Sequence, residues 1–193
     1  MKLIRIFVLI FMTSACAPLS HYQQYSSGTR INHPGVSFVL PGDYSWVILV
    51  GSTYQITLGA KGHNNNETIV ASVSSYGLPV FSSNEEFFEF VKSGRSSEPQ
   101  TGRFETIKNE ETMYKERQET CVKHHMLSKD FGAKRGGNYT LIEYIGMNCI
   151  HPKNPKVGIF VELSRKAPPE VENLNFENLG LSLLQSVEFK DYF

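Results

Sequence analysis

The sequence predicts an α+β domain: a mainly antiparallel sheet with two helices packed against it, in a single domain. Three observations carry this. Val157, Ile159, Val161 and Leu163 alternate with polar or small residues, the mark of a strand that buries one face. Gly136-Gly137 is a turn signal between two stretches rich in β-branched and aromatic residues, the mark of a hairpin. Ser83 stands three residues before Glu86, and Phe87, Phe90 and Val91 follow at i, i+3, i+4. That is a capping box leading into one apolar helical face. Strands, a helix, more strands and a second helix are the order of an antiparallel sheet flanked by helices.

The elements follow from the N-terminus. Lys2 and Arg5 give a short positive start, Ile6 to Met12 is an apolar run, and Thr13, Ser14 and Ala15 are small. A charged start, ~7–15 apolar residues and a small-residue cleavage site make a secretory signal peptide. A membrane span needs about 20 apolar residues, so this run is too short to be one. Residues 1–15 are therefore expected as a leader. Residues 16–34, rich in Ser, Gln, Tyr, Thr and Asn, read as a polar tether. Residues 35–193 read as the single folded domain.

Within that domain, strands are expected at Val36–Leu40, Trp46–Val50, Tyr54–Leu58 and Thr68–Val73, with Pro41-Gly42-Asp43 as a turn. The first helix starts after Ser83, and Gly94 is placed to end it. Phe104–Lys108 begins the second half. Asn109 to Glu119 reads either way, its charges suiting a helix and its neighbours strands. Thr120–Leu127 and Tyr139–Ile150 are the arms of the hairpin. The loop 151–155 turns the chain into the strand beginning near Val157. Pro168 and Pro169 interrupt the chain before a second helix at Phe176–Gln185, and Val187–Phe189 makes a short last strand.

The cysteines sharpen the reading. Thr13-Ser14-Ala15-Cys16 resembles the lipobox of bacterial lipoproteins, in which a small residue precedes the cysteine that becomes lipidated. Thr13 departs from the leucine usual at that position. The resemblance implies a lipid (palmitate) on Cys16. With Ala17 after the cysteine, it also implies residence at the outer membrane on the periplasmic side, another envelope membrane being the alternative. The competing cut, an A-x-A site at Ala15-Cys16-Ala17, would leave Pro18 next to the scissile bond, where its ring is unfavourable. There are three cysteines, and an odd one in an exported chain needs an explanation. Lipidation of Cys16 leaves Cys121 and Cys149, which in an oxidising compartment are expected to pair. The midpoint of those two is position 135, inside the predicted turn. An antiparallel hairpin then sets Cys121 opposite Cys149, Val122 opposite Asn148 and Glu119 opposite His151, with directly opposed Cα atoms ~4.5–5.5 Å apart.

The alternative for these cysteines is a metal site, since Cys121-x-x-His124-His125 and Cys149-x-His151 group thiols with imidazoles. Against it, His124 and Cys121 fall on opposite faces of one strand, and an oxidising compartment favours the disulfide. The histidines are then expected as solvated hairpin residues. No metal and no cofactor is expected.

Other classes are narrowed by charge and motif. The full chain has 19 basic and 19 acidic residues, and loss of a leader removes Lys2 and Arg5 but no acid. A slightly acidic mature chain argues against nucleic acid as a partner. No G-x-S-x-G, H-E-x-x-H or P-loop motif occurs. Glu110-Glu111 would point to opposite faces of a strand and so share no acid–base work. The expectation is no catalytic residue and no enzyme. The chain reads as a membrane-anchored envelope protein serving as an interaction or accessory module for another envelope protein. A small-ligand or metal-binding module is the alternative, and a cryptic hydrolase comes after that.

Finally, Phe38-Val39-Leu40-Pro41 followed by Trp46, the helix carrying Glu85-Glu86-Phe87, and Leu181 to Phe189 ending in Ser-Val-Glu-Phe resemble the layout of PsbP-like domains. That resemblance implies an α/β sandwich of the kind found in exported and lumenal proteins. It implies no ligand or catalytic residue.

Overall fold

The computed structural model of the protein describes residues 23–64, 66–96, 102–132, 139–171 and 175–191. The expected leader, Cys16 and the hairpin tip at Gly136-Gly137 lie outside them. The chain is mostly antiparallel sheet with two helices, richer in strand than the sequence led us to expect.

Part of that excess comes from the segment expected as a tether. Gln24–Ser26 forms β1 and Arg30–His33 forms β2. The signal in β2 is short: Ile31 and His33 turn inward while Arg30 and Asn32 stay in solvent. One aliphatic among polar neighbours is too little to reveal a strand from composition, although the period-two alternation is there. Pro34-Gly35 then makes a two-residue turn, with proline fixing one φ and Gly35 adopting φ 78°, into β3 (Val36–Val39).

The remaining strands are β4 (Ser45–Gly51), β5 (Gln55–Lys61), β6 (Thr68–Gly77), β7 (Phe104–Met113), β8 (Cys121–Asp130), β9 (Thr140–His151), β10 (Asn154–Ala167) and β11 (Glu188–Phe189). Eight of them make one sheet in the order β1-β4-β5-β6-β10-β9-β8-β7, and β11-β3-β2 make a second. Every pairing is antiparallel. The ambiguous stretch after Lys108 continues β7 to Met113. Cross-strand partners on β8 decide this, not local propensity.

Alternation along the strands divides the large sheet into two faces. One face carries the main core. There Trp46, Leu58, Val73, Met147, Ile159, Val161 and Leu163 pack with Phe38 and Leu40 of the small sheet. Phe176, Leu183 and Leu184 of α2 (Phe176–Gln185) join the same cluster. The opposite face meets α1 (Asn84–Ser96). Phe87 and Val91 of this helix bury against Val122 and Leu78. Ser83 Oγ accepts the Glu86 N–H at 3.2 Å, and Glu86 Oε2 accepts the Ser82 N–H at 2.6 Å. The helix thus starts where its capping residues predict. It does not end at Gly94, which lies in its last turn. Phe90 also departs from expectation: it is 41% exposed, tilted against Phe81 at 57°, and not buried in the core.

Candidate functional site

Cys121 and Cys149 are disulfide-bonded, with Cα atoms 4.1 Å apart and both side chains fully buried. They are direct cross-strand partners, and Val122 faces Asn148, the register set by the midpoint argument. The ladder begins at Cys121, so the expected Glu119–His151 pair is not part of it. Glu119 instead pairs with Arg117 at 3.0 Å. The sulfurs are bonded to each other and are not metal ligands. Among the described residues no group of three His, Cys, Asp or Glu is placed to hold a metal.

The histidines are structural in position and not solvated, which corrects the sequence expectation. His151 is buried at the meeting of the two sheets. Its Nδ1 accepts the Lys153 N–H at 3.2 Å, so Nε2 carries the proton toward the carbonyls of Gly35 (3.1 Å) and Lys190 (3.0 Å). His125 Nε2 lies 2.7 Å from Glu143 Oε1. His124 is fully buried on the α1 face, its Nε2 3.0 Å from Glu162 Oε2, and its ring stacks on Phe160 at 5.9 Å and 4°. Gly146 makes this possible: a Cβ there would sit 2.5 Å from His124 Cε1. Burial holds the His124 pKa below its ordinary value, and the Glu162 hydrogen bond opposes that only in part. Hairpin residues are solvated only where a face is bare, and both faces of β8 and β9 carry packed residues here.

Glu110 and Glu111 do point apart, Glu110 to solvent with Lys108 (3.0 Å) and Glu111 inward to Arg95 (3.2 Å).

Three surface features remain. The first is a cleft of about 270 Å³ between the C-terminal half of α1 and the sheet, lined by Tyr76, Phe90, Arg95, Asn148 and Phe160 with Ser93 and Gly94 at its rim. Tyr76 Oη donates to Asn148 Oδ1 at 2.9 Å, and desolvation pushes the Tyr76 phenol up to about 12. The second is a shallow trough on the same face of the sheet at its other end, formed by Val47, Leu49, Gly59 and Val70 with Lys61 and Thr68 beside them. Leu49 lies over Gly59, where a Cβ would meet it at 2.7 Å, and remains 57% exposed. The third is a cleft of about 280 Å³ at the N-terminal end of α2, where Asp43, Tyr44 and His63 stand over a buried Glu67–Arg165 ion pair. Its charges are matched internally: His63 Nε2 is 3.3 Å from Asp43 Oδ1, and Arg165 also donates to the Val171 carbonyl at 3.1 Å. That arrangement locks the β5–β6 turn onto β10.

Sequence reasoning missed the first cleft. Its signal was Phe160, an aromatic on the outward phase of the strand whose inward phase is Ile159, Val161 and Leu163. Compared with known proteins, the chain matches no protein-family model, and no curated protein is similar enough to count as a relative.

Proposed function

We propose that this chain is an exported lipoprotein, tethered through lipid on Cys16 to the outer membrane on its periplasmic side. Its folded domain acts without catalysis as an interaction or accessory module for another envelope protein. The observation that carries the reading is the cysteine count. Two of the three cysteines are spent on a buried disulfide. The third is the one that ends an apolar leader after Thr13-Ser14-Ala15. A disulfide suits an oxidising compartment, and lipidation accounts for the remaining thiol.

The trough at Val47, Leu49 and Val70 supports the docking part of the reading. A partly exposed apolar face on an otherwise polar sheet surface is how protein contact sites present themselves. The layout shared with PsbP-like domains belongs to the same proposal and adds no site residue.

The test has two arms. Metabolic labelling with an alkyne-bearing palmitate should mark the wild-type chain and not Cys16→Ser, which should also leave the membrane fraction or accumulate unprocessed. Intact-mass analysis finding an unmodified N-terminus at Pro18 would overturn the anchor. A photo-crosslinking amino acid at Leu49 in intact cells should give one discrete adduct that the same group at exposed Glu110 does not. Equal labelling from both positions would overturn the docking face. A small-ligand role is favoured by a different observation, the cleft beside α1.

A further inference from the structure

We propose that the cleft between α1 and the large sheet is a binding site for a small planar carboxylate, an aryl or heteroaryl acid. The inference does not depend on the membrane anchor or on a protein partner.

The walls fix the shape of the occupant. Phe160, Tyr76 and Phe90 line the cleft together with Val91. Phe160 packs beside the His124 ring, parallel to it within 4° at 5.9 Å. An aromatic surface with its orientation fixed favours a flat partner, because ring faces and edges pack best in offset or edge-on contact. A volume of about 270 Å³ falls at the small end of ligand sites, enough for one ring or two fused rings.

The polar groups fix its chemistry. Tyr76 Oη donates to Asn148 Oδ1, which leaves the Asn148 Nδ2 hydrogens as the donor end of that amide. No described residue accepts them. Arg95 is ion-paired with Glu111 through Nε at 3.2 Å, without hydrogen-bond alignment, which leaves its terminal amino groups as the donors available to the cleft. Both groups are donors, and no acid among the described residues lines the cleft. A ligand there must bring acceptors. A carboxylate is the acceptor that pairs with a guanidinium through two oxygens.

Gly94 is the second independent observation. It lies in the last turn of α1, at the rim of the cleft, and a Cβ built there would meet nothing within 4 Å. Its φ is not positive, so no backbone conformation requires glycine. Glycine is unfavourable in a helix relative to alanine, and packing does not demand it here. On the proposed reading glycine stands here because a side chain at the rim would narrow the cleft.

The test uses the full-length chain and two probes, benzoate and indole-3-carboxylate, with saturation-transfer NMR. Transfer to the aromatic protons of at least one probe is expected. Gly94→Leu places a side chain where a Cβ meets nothing within 4 Å, so it should melt at or above the wild-type temperature and lose binding at least about tenfold. Arg95→Gln should weaken the acid by about tenfold and leave the matching carboxamide unchanged. The proposal is overturned if neither probe receives transfer at millimolar concentration. It is overturned equally if a bound probe is indifferent to Gly94→Leu, or if Arg95→Gln weakens acid and amide alike.

Discussion

Reducing the Cys121–Cys149 bridge should lower stability by an amount that follows from its position in the chain. The two cysteines are 28 residues apart, and the bond closes the loop between them. For a loop of that size the chain-entropy model gives about 3.5 kcal/mol of unfolded-state constraint at room temperature. Both sulfurs are fully buried, so reductant meets them only after the strands separate, and the bridge is to be reduced in the unfolded protein before refolding. Equilibrium urea unfolding of oxidised and reduced protein measures the difference. With a slope of roughly 2 kcal/mol per molar urea, the reduced midpoint should fall by about 1.8 M, and the slope should rise slightly as the released chain expands. Peptide mapping without reductant must find the linked pair and no free thiol at either position. A midpoint difference under about 0.5 M would mean that the hairpin already persists in the denatured chain and that the bond adds little constraint. Free thiols in protein recovered from its native compartment would refute the bridge itself and the exported location with it.

Other outcomes can be stated as directly. Phe87→Ala empties a fully buried site and should cost about 3–5 kcal/mol, whereas Phe90→Ala, at 41% exposure, should cost about 1 kcal/mol or less; equal losses would place Phe90 in the core after all. Glu67→Ala strands Arg165 in the interior and should cost roughly 3–5 kcal/mol, while the double change Glu67→Leu with Arg165→Met should recover much of it; thermal melts of both variants decide. Burial depresses the pKa of His124 and of His33, so the unfolded chain binds more protons than the folded one. Stability should therefore be full above the unfolded value of 6.5 and fall as pH drops below it, and a melting temperature that stays flat from pH 7.5 to 5.5 would contradict the buried neutral rings. Asp130, held low by Arg103 and Lys166, should add a separate loss only in stronger acid.

The fold was legible wherever a residue pattern is read locally. The capping residues of α1, the limits of α2 and the alternation of β10 need no more than a short window. The cysteine pairing came from two positions and one turn, because the register of an antiparallel hairpin is set once a single pair is known. What failed or stayed open depends on partners distant in sequence. Arg30–His33 has a single aliphatic, and its strand exists because β3 lies beside it and Ile31 finds the core. Asn109–Met113 carries helix-like charge, and β8 supplies the ladder that overrides it.

The site was hidden for a related reason. A sequence shows which side of a strand is apolar, but not what covers the other side. On the large sheet one face takes the small sheet and α2, while the second is covered at one end by α1 and left open elsewhere. That asymmetry buries His124, raises the Tyr76 phenol and leaves Leu49 in solvent, although all three lie on the same outward phase. Phe160 was the one local clue, since an aromatic on the outward phase of a central strand has to be covered, stacked or used. His124 lies parallel to it and the ring also lines the cleft, so the residue that breaks the alternation is also the one that connects the buried imidazole to the surface. A substitution at Phe160 should thus be felt on both sides, in the packing of His124 and in whatever enters the cleft.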